Sequence, residues 1–183
     1  MKNYLCRLKK QCQKMYTAAI RRLTKRIDSG PINRMELRTM LTVFDVAKYI
    51  LHAKGPMSTW KLQKLCYYCQ AWSLAWTEKQ LFPEDFEAWA NGPVCRLLYE
   101  EHRGMYIISE SDIQHGDFRN LTDDDEENIN IVLGAYGDKD AYWLREQTHA
   151  EDPWKKARDG YADGESCREI ISKQSMGYYY GSL

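Results

Sequence analysis

No run of eighteen apolar residues occurs in this chain of 183 residues, so no segment reads as a transmembrane helix. The first residues lack the uninterrupted apolar block of a signal peptide, because Arg7, Lys9 and Lys10 cut through it. The expected location is therefore the cytoplasm. Six cysteines are present, at positions 6, 12, 66, 69, 95 and 167, but without the dense spacing of a secreted disulfide framework. They read as reduced structural thiols. There is no internal repeat, no nucleophile elbow and no helix-turn-helix signature. The length suggests one globular domain plus an appendage, with a core that needs neither disulfides nor metal.

What the chain does have is aromatic residues and an uneven charge. Thirteen Tyr and six Trp are many for a soluble protein. The net charge is zero, but residues 1–28 hold nine basic residues against the single acid Asp28, a net +8 that leaves −8 on the remainder. A basic arm is attached to an acidic body. Residues 1–39 are read as the extension and its linker, and 40–183 as the domain. Leu5, Leu8, Cys12, Met15, Ala19, Leu23 and Ile27 form an apolar stripe at helical spacing along the arm, and Ser29-Gly-Pro31 stops it. Cations around that stripe, Arg21 and Arg22 beside Leu23 among them, fit three uses. The arm could bind phosphates, lie on an anionic membrane surface, or dock on a partner or on its own body. The stripe suits docking better than reading of DNA sequence.

The body reads as mainly helical with a small β element. A helix is predicted from Thr42 to Ala53, ended by Gly55-Pro56. A second, over 59–77, is capped by Ser58 and carries Leu62, Leu65, Cys66 and Cys69 on one face. Trp60, Lys61, Gln63, Lys64 and Tyr67 fall on or beside its polar face, as candidate anchors for a partner. Phe86 to Ala90 is a predicted short strand. Asn91-Gly92-Pro93 is a turn, with Pro93 expected to open a helix that reaches His102. Tyr106 to Ile108 is a second short strand. Thr122 and Asp125 resemble a capping box for a helix to about Tyr136. Further helices are expected over 141–147, from Asp152 to Arg158 and from Glu165 to Lys173, before a Tyr-rich tail.

Two constellations could carry chemistry. Cys66-Tyr-Tyr-Cys69 is a C-x-x-C pair, but a metal would need two more ligands at matching spacing, and the pair sits on an apolar helix face. No cofactor or metal is expected. Thr148-His-Ala-Glu-Asp-Pro-Trp154 brings His149 near carboxylates, and a hydrolase could use it with Cys95 or Ser73 as nucleophile. The simpler reading is a corner: Thr148 and Asp152 cap, Pro153 starts a helix, and Trp154 enters the core.

Four ordered pieces then make a specific match. They are Val46-Ala-Lys-Tyr-Ile-Leu51, Leu62-Gln-Lys-Leu-Cys-Tyr-Tyr-Cys-Gln70, Glu87-Ala-Trp-Ala-Asn-Gly-Pro-Val94 with Tyr99, and Thr148-His-Ala-Glu-Asp-Pro-Trp-Lys-Lys-Ala157. Over about residues 41–172 the chain resembles the Panacea domain, the SocA-like antitoxin family that also includes phage-associated proteins. Cys66 and Cys69 replace the usual small or aliphatic residues. The resemblance implies a compact multi-helix fold with a small β element, in which Leu62, Leu65, Trp89, Gly92, Pro93, His149, Pro153 and Trp154 are scaffold. It also implies a non-enzymatic protein that neutralises a cognate toxin encoded alongside it. One related member delivers its toxin to a bacterial protease, so a protease or chaperone, and a second copy of the chain, are further candidate partners. Nucleic acid ranks behind these.

Overall fold

The helix Thr59–Thr77 is buried on every side from Leu62 to Ser73, and the domain is built around it. The computed structural model describes residues 40–183 together with Lys10, Gln13, Lys14, Tyr16 and Thr17. Seven helices are labelled here: α1 Val43–Lys54, α2 Thr59–Thr77, α3 Arg96–His102, α4 Asp123–Tyr136, α5 Ala141–Ala150, α6 Asp152–Ala157 and α7 Lys173–Gly181. The strands are β1 Met57–Ser58, β2 Phe86–Trp89, β3 Gly92–Val94, β4 Ile107–Ile108 and β5 Ile170–Ile171. The fold is mainly α with small antiparallel sheets. Strands β3, β2 and β5 lie side by side in that order, with Trp89 opposite Gly92 and Phe86 opposite Ile171. Strands β1 and β4 form a separate pair, Met57 opposite Ile108.

Local chemistry sets the helix starts. Ser58 Oγ accepts from Lys61 N, as its position before α2 predicts. Thr122 and Asp125 close a reciprocal capping box on α4. Thr42 and Asp45 do the same on α1, and the other oxygen of buried Asp45 accepts from Asp117 N at 2.6 Å and Asn120 Nδ2 at 3.0 Å. One carboxylate thus caps a helix and ties down a distant loop.

Helix α2 packs against α1, α4, α5, α7 and β3. Around it lies an aromatic core. Tyr68 stacks on Tyr136 with centroids 4.1 Å apart, and Trp72 Nε1 donates to the Tyr136 hydroxyl at 3.2 Å. Tyr180 of α7 meets Trp72 edge-on and donates its hydroxyl proton to buried Glu151 at 2.5 Å, where Tyr68 also donates. At the end of α2, Tyr16 stacks on Trp76 at 4.6 Å, and Trp76 Nε1 donates to Gln13 Oε1. Tyr16 and Gln13 of the extension therefore lie on the chain's own body. The stripe Leu5, Leu8, Cys12, Met15, Ala19, Leu23 and Ile27, with Arg21 and Arg22, lies outside the described residues.

Four expectations are corrected. Helix α2 is a central helix, not an amphipathic one, because the β2–β3 hairpin covers Lys64, the start of α3 and His102 cover Gln63, and Phe86 with α7 covers Tyr67. Pro93 lies inside β3, and the helix after it starts only at Arg96. The proline's missing N–H is harmless there because β3 is an edge strand. No helix spans 165–173: that stretch supplies edge strand β5, and the Tyr-rich tail is itself helix α7. Its tyrosines fold into a helix because Tyr180 is needed in the core. Thr148 does not cap: it sits within α5 and donates to Arg145 O, while Glu151 is the residue before α6 and Asp152 is its first.

The polar residues inside α2 act as connectors. Gln70, fully buried, accepts from Leu81 N at 2.8 Å and donates to Phe82 O at 2.7 Å, stitching the loop after α2 to the helix. Gln70→Met leaves those backbone groups without partners, and we expect a loss of about 2–4 kcal/mol in urea unfolding. A loss under about 0.5 kcal/mol would show that the loop is held by other contacts.

A candidate partner-binding cleft beside the central helix

Three of the sequence motifs converge where the first half of α2 crosses the β2–β3 hairpin. The hairpin must pass close to the helix, and Gly92 permits it. Gly92 has φ of +99°, and a Cβ there would lie 2.6 Å from Lys64 Cε and 2.9 Å from Thr148 Oγ1. Only the hydrogen of glycine fits above the lysine. Beneath it Lys64 is 2% exposed and donates from Nζ to Pro93 O at 3.0 Å. Burial, helped by the charge of Arg145, pushes the Lys64 ammonium down to about 7.

Its neighbour Gln63 does similar work. Its Oε1 accepts from Cys95 N at 2.8 Å, and its Nε2 donates to Cys95 O at 3.2 Å and to His102 Nε2 at 3.0 Å. The backbone of Cys95 fixes the orientation of the amide, so His102 Nε2 is the acceptor and the imidazole is neutral. Burial lowers the pKa of His102, in keeping with that role. The fourth motif supplies an aromatic buttress. Trp154 Nε1 donates to Trp89 O at 3.1 Å, and His149 stacks on Trp154 at 3.9 Å. Burial first, then the positive Arg145, Lys64 and Arg158, takes His149 down to about 4.

These elements enclose a cleft of about 430 Å³. Trp60, Trp89 and Tyr99 supply aromatic surface, Lys64 and Gln63 line it from α2, and Asn91 lines it from the hairpin turn. Its far wall includes Gly164 and Ser166 from the loop before β5. Arg158 holds that loop, donating to Ala88 O at 2.8 Å, Ala162 O at 3.1 Å and Glu165 O at 2.7 Å. At the mouth Thr59 pairs with the backbone of Met105 and Tyr106, which sets those side chains beside Trp60.

The sequence-selected residues therefore separate. Trp60, Lys64 and Trp89 share the cleft, while Lys61 stands beside it, partly exposed. Lys64 and Tyr67 are buried, which corrects their placement on an exposed polar face; Tyr67 lies edge-on to Phe86 and Tyr180. Leu62 and Leu65 are core, Pro93 and Pro153 are buried, and Trp89 and Trp154 are half-buried. Arg158, Glu151 and the Met105–Ile107 edge escaped the sequence reading. Arginine at a helix end signals only a favourable dipole contact, and nothing marks it as buried.

Nothing assembles a thiol or hydroxyl nucleophile at His149 among the described residues. Cys95 is buried at the start of α3, where burial pushes its thiol up to about 11, and Ser73 donates to Lys79 O. Cys66 and Cys69 are buried free thiols, and no group of three metal-ligating side chains comes together among the described residues. No described helix is long and apolar enough to cross a membrane.

Two outcomes follow from this geometry. Gly92→Ala combines a strained φ with a clash against Lys64, and a loss of about 2–4 kcal/mol is expected in urea unfolding. The second concerns pH. The unfolded chain keeps the Lys64 proton until its ordinary 10.5, whereas the folded one releases it near 7, so folding releases a proton and stability rises with pH across that window. Between pH 7 and 9 unfolding free energies of the wild type should gain about 1 kcal/mol per pH unit, and Lys64→Met should flatten the rise. An unchanged slope in that variant would place the titration elsewhere.

No curated protein and no solved structure matches the chain. The model of one family, described as antitoxin SocA-like, Panacea domain, matches residues 62–155. That span is just over half of the chain and runs from the first turn of the central helix, through the hairpin, to the Trp154 buttress. The chain belongs to the SocA-like antitoxin family of Panacea domains.

Proposed function

We propose that this chain is an antitoxin that neutralises a protein toxin by direct, stoichiometric binding, without turnover. The observation that carries the reading is the apolar surface at the mouth of the cleft. Trp60 is 49% exposed, Met105 44%, Tyr106 77% and Ile107 54%, and backbone pairing between Thr59 and Met105–Tyr106 sets them side by side. Exposed aromatic and aliphatic side chains gathered on a rigid edge, rimmed by polar groups, are what a protein interface uses as its centre. The acidic body around it suits a basic toxin surface, since complementary charge speeds encounter and fixes orientation. An interface of this kind buries about 1,200–2,000 Å² in total, so the patch would supply its core and the charged surroundings its rim.

The basic extension takes a secondary part in this reading. Tyr16 and Gln13 hold it at Trp76, the opposite end of α2 from Trp60. Sixteen residues of helix separate the two ends by about 24 Å. The toxin therefore meets the Trp60 end, with Lys61 at its rim, and delivery of the toxin to a protease would use a different face.

Co-expression with the product of the neighbouring gene tests this directly. The expected results are rescue of growth from that product and co-purification of the two chains. A double variant Trp60→Ala/Tyr106→Ala removes exposed side chains only; it should fold normally and weaken binding about 30-fold or more, enough to lose rescue. Full rescue by the folded double variant would move the toxin surface elsewhere, and a neighbouring product that is neither toxic nor bound would defeat the reading.

A further inference from the structure

We propose that the cleft receives an acidic peptide segment of the partner: a carboxylate side chain reaches Lys64 and Asn91, and a neighbouring apolar side chain lies against Trp60, Trp89 and Tyr99. The reading of the chain as an antitoxin enters only in taking a polypeptide as the source of the carboxylate.

The charge pattern of the lining carries this. Among the described residues no Asp or Glu lines the cleft, and the Glu87 carboxylate behind its wall is engaged by Trp89 Nε1 at 2.6 Å. The cleft's single formal cation, Lys64, is buried without a carboxylate partner, and its one hydrogen bond is to Pro93 O. An ammonium has three donors, so two remain unused. After burial, what lowers its pKa further is another cation, Arg145. A buried cation without a counter-ion is costly, and an incoming carboxylate removes the deficit.

Asn91 supplies the second contact. Arg145 Nε donates to its Oδ1 at 3.3 Å, which fixes the amide so that its Nδ2 donors have no partner among the described residues. The guanidinium itself is paired with Glu146, its Nη1 donating to Glu146 Oε1 at 2.5 Å, so the donors at the turn are those of Asn91. Around these donors the walls are aromatic, and a volume of about 430 Å³ is large enough for a side chain and its neighbour. A cationic side chain would meet Lys64 head-on, and a neutral amide would leave its donors partly unmatched.

The test is a titration of the labelled full chain with acetyl-Phe-Glu-Gly-amide and, separately, with acetyl-Phe-Gln-Gly-amide, following the indole N–H signals of Trp60 and Trp89 by NMR. The glutamate peptide should move both signals and bind about tenfold or more tighter than the glutamine peptide. Lys64→Met should erase the discrimination. Asn91→Asp, at an exposed turn and so independent of the core, should weaken the glutamate peptide at least as much by placing a like charge beside its carboxylate. Equal affinity for the two peptides, or no movement of either indole at millimolar peptide, overturns the proposal. Growth rescue at the wild-type level by folded Lys64→Met and Asn91→Asp chains would also overturn it as a toxin contact while leaving the antitoxin reading standing. Failure of the wild-type chain to rescue would strike the antitoxin reading and leave the peptide result untouched.

Discussion

A helix that is buried on all sides yet carries Gln63, Lys64, Gln70 and Ser73 must find an internal partner for each of them. That obligation organises this domain. Gln70 holds the loop after α2, Gln63 holds the start of α3 and His102, Lys64 holds the β2–β3 hairpin, and Ser73 holds Lys79. Each bond joins the central helix to a segment that also buries apolar residues against the core, Phe82 after α2 and Leu98 in α3 among them. The small sheets are short, two to four residues per strand, and could not stand alone. Lys64 and Gln63 hold β3 and the residue after it, and Arg158 holds β2.

The cleft follows from the same constraint. Lys64 draws Pro93 toward the helix, Gly92 lets the turn approach, and Trp89 is thereby brought opposite Trp60. What remains between helix and hairpin is a space whose walls are aromatic and whose polar groups are donors. The domain carries net negative charge, yet no carboxylate lines this concavity among the described residues. Such local reversal of sign can select a partner by charge at short range while the body steers it at long range.

Much of the helical framework was legible in the sequence. Ser58, Thr122 and Asp125 marked helix starts correctly because capping is a local interaction decided within four residues. The hairpin turn at Asn91-Gly92 was equally local. The failures were tertiary. The periodicity of α2 suggested one buried face, and nothing in it disclosed that the β2–β3 hairpin, α3 and the C-terminal helix α7 would together cover the other. Lys64 and Tyr67 therefore seemed available to a partner, although one lies beneath a glycine and the other among aromatic rings. The Tyr-rich end resembled a tail because aromatic residues lower helix propensity, and its helix exists through packing against α2. Of the candidate site, the sequence supplied Trp60, Lys64 and Trp89; the Met105–Ile107 edge came only with the pairing of β1 and β4.

Arg158 has a consequence for how such a domain can change its partner. All three acceptors of its guanidinium are main-chain carbonyls, at Ala88, Ala162 and Glu165. The loop that closes the cleft is thus gripped by its backbone, with the Glu165 carboxylate accepting from Ala162 N and Tyr161 lying against Arg158, while Asp159, Asp163 and Ser166 are exposed. Substitutions along that rim can alter shape and charge toward an incoming protein while the wall stays where it is. A scaffold anchored in this way separates what must be kept from what can diversify, so changes confined to a few surface positions can alter what the rim presents without moving the wall.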